Sequence, residues 1–227
     1  MHKVIIDGVD LSQDYIIGQV SYPTYSKYSN YKERAGTTPA FFYEQDDTKL
    51  VEITFTKKEQ CQDPLELQHE MEQFIANTLR NKEPSWIEVD GRWMFAQLDG
   101  TGGDLYQGQV VAVYLIQDGK WYSEEKTTTS LSIINNGVDE TWCVEFKIMP
   151  TANEVVLKNS LGKVITVEAS STTTPVYINM MDKTVKQSAR HAPINPNSRL
   201  FPLVKEANNL VLTGGTATIK YREVIAL

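Results

Sequence analysis

The sequence predicts a mainly β protein with one prominent helix. Three observations carry this reading. Apolar and polar residues alternate over much of the chain, short strand-like runs are punctuated by turn residues, and one stretch repeats its apolar positions at helical spacing.

In chain order, residues 22–43 are the first irregular stretch. They hold Tyr22, Tyr25, Tyr28, Tyr31, Phe41, Phe42 and Tyr43 together with Pro23, Gly36 and Pro39, and show no clear period. Aromatic rings need a surface to cover, either their own domain or a neighbouring subunit, and these seven are candidates for such contacts. Val51, Ile53 and Phe55 then alternate with Glu52, Thr54 and Thr56, as in a half-buried strand. A helix is expected over residues 64–80. Asp63 is a good N-cap, Pro64 suits the first helical position and Glu66 stands at the capping-box position. Leu67, Met71, Phe74, Ile75 and Leu79 form one apolar stripe, expected to pack into a core, and Pro84 ends the region.

Residues 86–89 and 93–97 flank Asp90-Gly91, the strongest hairpin signal in the chain, because Asp-Gly supplies the positive φ of a type I′ turn. Asp99-Gly100-Thr101-Gly102-Gly103 reads as a mobile loop. Residues 110–116 are nearly all apolar and read as a strand covered on both faces. The polar run at 124–129 reads as a crossover between two parts of the chain. Trp142, Val144, Phe146 and Ile148 mark the buried side of another strand. Shorter strands are expected at 155–157, 164–167, 176–178, 210–212 and 217–221. Turns separate strands at Asn136-Gly137, Leu161-Gly162-Lys163, Met181-Asp182-Lys183 and Gly214-Gly215. Such spacing reads as a β-sandwich or barrel. Residues 189–202, with Pro193, Pro196 and Pro202, are irregular, and there is no internal repeat of fixed period.

Composition excludes several classes. The chain has 227 residues, with 22 Lys and Arg against 29 Asp and Glu, a net charge of −7. That balance argues against a general nucleic-acid binder, which needs a basic footprint. Cys61 and Cys143 cannot form a disulfide framework and read as reduced thiols. The N-terminus lacks the apolar core of a signal peptide, and no apolar run is long enough for a membrane span. The expectation is a soluble chain made in a cytoplasm and not exported by the general secretory route.

No motif supports catalysis, and the chain is read as a non-enzyme without metal or cofactor. His2, His69 and His191 are isolated, and no H-E-x-x-H forms at His69-Glu70 because Gln73 occupies the second histidine's place. There is no G-x-S-x-G elbow, and neither cysteine has a basic sequence neighbour to activate it. Gly100-Thr101-Gly102-Gly103 lacks the Lys-Ser/Thr ending of a P-loop, and Asp99 and Asp104 lack the spacing of a calcium loop. The acidic pairs Asp46-Asp47 and Glu124-Glu125 read as solvated, and opposed carboxylates from distant strands stay open. Trp86, Trp93, Trp121 and Trp142 are the candidate exposed aromatics of a sugar-binding sandwich, the alternative function; Trp121-Tyr122, after the turn at Asp118-Gly119, also reads as a possible interface.

The order of pieces resembles the distal tail (Dit) family of long-tailed, non-contractile phages of Gram-positive bacteria. The similar pieces include Asp7-Gly8-Val9-Asp10-Leu11-Ser12, Arg34-Ala35-Gly36-Thr37-Thr38-Pro39, Trp93-Met94-Phe95-Ala96-Gln97, Tyr122-Ser123-Glu124-Glu125-Lys126 and Asn135-Asn136-Gly137. The most specific block is the last: Phe201-Pro202-Leu203, then Asn208-Asn209-Leu210-Val211-Leu212-Thr213-Gly214 and Ala217-Thr218-Ile219-Lys220-Tyr221-Arg222. Glu206-Ala207 departs from the family's frequent Pro-Gly turn.

The resemblance implies a ring-forming N-terminal domain, residues 1–128, and a galectin-like β-sandwich, residues 129–227. It implies a homo-hexamer that joins the major tail tube protein to a tail-tip adhesin or lysin and passes DNA through its pore without specific binding. Such rings can also carry receptor-binding proteins. The implied location is the distal end of a phage tail in the virion, after assembly in the host cytoplasm. A galectin-like fold does not by itself imply sugar binding.

Overall fold

The computed structural model describes residues 2–21, 29–30, 43–44, 49–59, 63–80 and 83–226. The chain divides into two compact units, Met1–Trp121 and Tyr122–Leu227.

The first unit is built on strands β1 (Val4–Ile6), β2 (Val9–Asp10), β3 (Tyr15–Ser21), β4 (Ser29–Asn30), β5 (Tyr43–Glu44), β6 (Lys49–Lys57), β7 (Ser85–Val89), β8 (Arg92–Gly102) and β9 (Gln109–Ile116); β10 (Trp121–Tyr122) follows. The main sheet runs β2-β1-β7-β8-β9-β6-β3, with antiparallel neighbours throughout. Asp90 and Gly91, at φ 52° and 78°, make the expected hairpin turn between β7 and β8. Only a glycine or a short polar residue takes two successive positive φ angles at low cost.

The helix α1 (Pro64–Phe74) starts as its sequence directs. The Asp63 carboxylate accepts a hydrogen bond from the Leu65 amide at 2.9 Å, and Pro64 opens the first turn. Leu67, Met71 and Phe74 are buried. Phe74 stacks on Tyr15 with centroids 4.0 Å apart and meets Phe55 edge-on at 5.6 Å, which seats the helix against β3 and β6. The expected α-helix to residue 80 stops short. Ile75–Leu79 is a π-helical turn, closed by the Arg80 amide on the Ile75 carbonyl at 2.9 Å, and Arg80 itself is extended. Leu79 is fully buried at the end of this turn, on the apolar stripe where the sequence placed it.

Two further expectations are corrected. Residues 99–102 are not a loop: β8 runs through Gly102 and pairs with β9, absorbing the irregular sequence in a bulge between Leu98 and Gly100. The long apolar partner β9 overrides the weak strand propensity of the glycines. β9 is not covered on both faces within the described residues. Val110, Ala112, Tyr114 and Ile116 are buried, whereas Val111, Val113 and Leu115 are half-buried.

The second unit contains β11 (Lys126–Thr128), β12 (Ser132–Asn135), β13 (Val144–Pro150), β14 (Glu154–Lys158), β15 (Val164–Glu168), β16 (Val176–Asn179), β17 (Thr184–Gln187), β18 (Arg190–His191), β19 (Glu206–Asn209), β20 (Val211–Thr213), β21 (Gly215–Tyr221) and β22 (Val224–Ile225). One sheet is ordered β11-β21-β13-β16-β17-β18, a second β15-β14-β20, and β12 pairs with β19. Alternate residues of the two larger sheets (Phe146, Ile148, Ile178 and Ile219 from one, Val155, Leu157, Ile165 and Val167 from the other) share one core, the arrangement of a β-sandwich. The molecule is thus mainly β with one helix.

Asn136-Gly137 is not the simple turn the sequence suggests. Gly137 does not need a positive φ; it needs space, because a Cβ there would lie 2.7 Å from the Val224 carbonyl oxygen.

Candidate functional site

The aromatic segment leaves β3 at Ser21 and returns at Lys49 in β6. Those two strands pair with each other, from Tyr15 opposite Lys57 to Ser21 opposite Glu52, so the stem of the excursion is held in the sheet. Within the excursion the backbone of β4 pairs antiparallel with β5, Ser29 opposite Glu44 and Asn30 opposite Tyr43. Tyr22, Tyr25, Tyr28, Tyr31, Phe41 and Phe42 lie outside the described residues, as does Cys61, and Tyr43 is described in its backbone alone. Below the stem, Tyr15 is sandwiched against Phe74, and burial, with Asp14 and Glu70 close by, pushes its hydroxyl up to about 12. Tyr114 is shifted upward by deeper burial, with Asp7 adding to it. Both phenols therefore stay neutral and act as packing groups.

The C-terminal block that carries the sequence resemblance fastens the polar 123–128 run. Arg222 and Glu223 are both buried. The Arg222 guanidinium donates to the Ser123 carbonyl at 3.0 Å, and the Glu223 amide donates to the Ser123 hydroxyl oxygen at 3.0 Å. The Glu223 carboxylate receives the Asn136 amide at 3.1 Å and the Lys126 ammonium at 2.6 Å. Glu125 is not merely solvated: it pairs with Lys220 at 3.0 Å, which raises the Lys220 pKa. Sequence spacing gave no signal for this clasp, since its partners stand about a hundred residues apart.

Nearby, Asn208 holds a tight turn. Its side-chain oxygen accepts the Val204 amide at 2.8 Å and its NH2 donates to the Val204 carbonyl at 2.9 Å. Glu206 takes a φ of 72°, a left-handed position uncommon outside glycine, asparagine and aspartate.

Three of the four candidate sugar-facing tryptophans, Trp86, Trp121 and Trp142, are packed against neighbours. Trp121 is buried at 2% exposure, which removes it as an exposed platform. Trp142 packs partly against the sandwich core and donates its indole N–H to Glu140 at 3.3 Å. Trp86 and Phe95 pack on each other across β7 and β8, centroids 5.4 Å apart. The histidines stay apart as the sequence suggests: His2 contacts Asp90 at 2.6 Å and His69 contacts Gln73 at 2.9 Å. One carboxylate pair does come together. Glu154 and Glu168 stand opposite each other at the open end of the β14–β15 hairpin, beside a shallow cavity of about 390 Å³ lined also by Asn153, Ala169, Ser170 and Pro193. Both glutamates are exposed, and neither has a side-chain partner among the described residues. Among the described residues no group of three or more His, Cys, Asp or Glu is placed to hold a metal, and no helix is long and apolar enough to cross a membrane.

No protein-family model matches the chain, and no curated protein matches it either. Solved structures do. The chain is similar over its whole length to the crystal structure of SPP1 Dit (gp 19.1), described as a paradigm of the hub adsorption apparatus in Gram-positive-infecting phages. The TM-score is 0.72 at 17% identity, and the match covers 100% of both chains. At that identity the likeness establishes the fold.

Proposed function

We propose that the protein is a structural subunit of a phage tail, a distal-tail or baseplate hub component. The observation that carries this reading is the full-length fold likeness to a hub adsorption protein, with both units matched in one chain. In this reading residues 1–128 form a ring of six copies and residues 129–227 form a galectin-like sandwich at its periphery. The ring joins the major tail tube protein to the tail-tip adhesin or lysin, offers sites for receptor-binding proteins, and sits at the distal end of the virion tail after assembly in the host cytoplasm. It performs no catalysis.

Identical subunits in a ring use heterologous contacts that close by rotation. The aromatic residues Tyr22, Tyr25, Tyr28, Tyr31, Phe41, Phe42 and Tyr43 are the proposed contact with the neighbour, since large rings desolvate well at interfaces. The net charge of −7 supports passage of DNA without adhesion, through like-charge repulsion. The test is size by light scattering together with negative-stain micrographs of the purified chain. Six times the chain mass and an annular particle are expected. A protein that stays monomeric at high concentration, and in the presence of tail-tube and adhesin partners, overturns the reading.

A further inference from the structure

The outer face of the six-stranded sheet carries a row that the sequence does not show as a cluster. Register places Thr218, Lys147, Tyr177, Lys186 and His191 side by side across β21, β13, β16, β17 and β18. Lys147, Lys186 and His191 are exposed and Tyr177 is half-buried between the lysines. The Lys147 ammonium lies 6.0 Å from the Tyr177 ring centroid. Strands about 4.8 Å apart put the two lysine backbones roughly 10 Å from each other.

Lys57, Lys126 and Lys220 are each matched to a glutamate, yet neither Lys147 nor Lys186 pairs with a carboxylate among the described residues. Glu145, in the next row, faces Lys220 across the strand pair. A protein of net charge −7 therefore presents a local cationic strip around an aromatic ring. The face is poor in apolar area, with Tyr177 and the exposed Met149 as its large apolar groups, and so lacks the apolar centre of a protein interface.

We propose that this row binds an anionic saccharide: the lysines and His191 take phosphate, sulfate or carboxylate groups, and Tyr177 packs against a sugar ring. Lysine acts here as a point charge without the geometry of a bidentate clamp, so affinity is modest and salt-sensitive. The inference concerns the second unit alone and does not depend on ring formation.

The experiment measures binding of the full chain to immobilised dextran sulfate, neutral dextran and poly-glutamate at low and moderate salt. The expected order is dextran sulfate well above the other two. The double variant Lys147→Glu with Lys186→Glu, at exposed positions that leave the core intact, should lose about tenfold or more in affinity, about 1.4 kcal/mol. Tyr177→Ala should weaken dextran sulfate binding several-fold and leave the weak poly-glutamate binding unchanged. The proposal is overturned if the wild type does not bind dextran sulfate, or if the double variant binds as well as the wild type. It is also overturned, in favour of an acidic protein partner, if poly-glutamate binds as tightly as dextran sulfate and Tyr177→Ala loses nothing.

Discussion

The two units reach a folded core by different routes. In the first, one sheet face is closed by a helix whose Phe74 meets rings from β3 and β6, while the opposite side of β9 stays half-buried among the described residues. In the second, two sheets close on each other around Phe146, Ile178, Leu157 and Val167, and the connections are pinned by side-chain hydrogen bonds from Asn135, Asn159, Gln187 and Asn208. A sheet closed by a helix leaves its other face to be covered by something else, whereas a sandwich buries both inner faces within itself. The two units thus differ in how the described residues cover their sheets: a helix on one face in the first, sheet against sheet in the second.

The largest test of this contrast is Phe146→Ala. Phe146 is fully buried at the centre of the sandwich, and its truncation should cost about 3–5 kcal/mol. Hydrogen exchange should speed up across residues 122–226 and leave the first unit's core strands protected. Equal loss in both units would break the division. Gly214→Ala comes next. Gly214 has φ 80°, and a Cβ there would lie 2.0 Å from the Glu154 carbonyl oxygen, so a cost on the order of 2 kcal/mol or more is expected in denaturant melts. Gly162→Ala, also at positive φ (76°) but with open space around it, should cost only about 1 kcal/mol. If the two variants are equally destabilised, the close approach at Gly214 is not what matters.

Glu223→Ala probes the clasp and should cost about 1–3 kcal/mol, because it strips partners from the Asn136 amide and Lys126. A double-mutant cycle with Lys126→Ala isolates the pair; a coupling of zero would mean that the backbone contact carries the effect. Asp63→Ala removes the helix cap of the first unit and should cost about 1 kcal/mol, read as a lower thermal midpoint for that unit.

Asp10 gives the smallest effect. The Ser12 hydroxyl, bonded to it at 2.6 Å, holds its carboxyl below the ordinary value of 3.8. The associated stability is present above that value and fades as pH falls through the folded pKa. Asp10→Asn should therefore lose a small increment at neutral pH that shrinks as the pH falls below the ordinary carboxylate range, measured as denaturant midpoints along that range.

Much of the fold was legible in local sequence. The strand at β6, the start of α1, the Asp90-Gly91 hairpin and the β13 alternation from Val144 onward stand where period and turn chemistry put them, while Trp142, read as part of that strand, precedes it and is half-buried. These signals are local: side chains two or four residues apart share a face before any partner is chosen. The site was far less legible. The burial of Trp121, the space that Gly137 must leave for Val224 and the Ser123–Glu223 clasp all depend on partners distant in sequence.

By itself, then, the sequence determined a β-rich chain with one capped helix and placed most of its turns. Tertiary structure decided which strands pair and which glycines stand too close to a neighbour for a side chain. It also gathered Lys147, Tyr177, Lys186 and His191 into one row. The reason is that strand identity is written in a repeat of two, but register is set by pairing across turns and long connections, and register alone brings four separated residues to one line on a sheet.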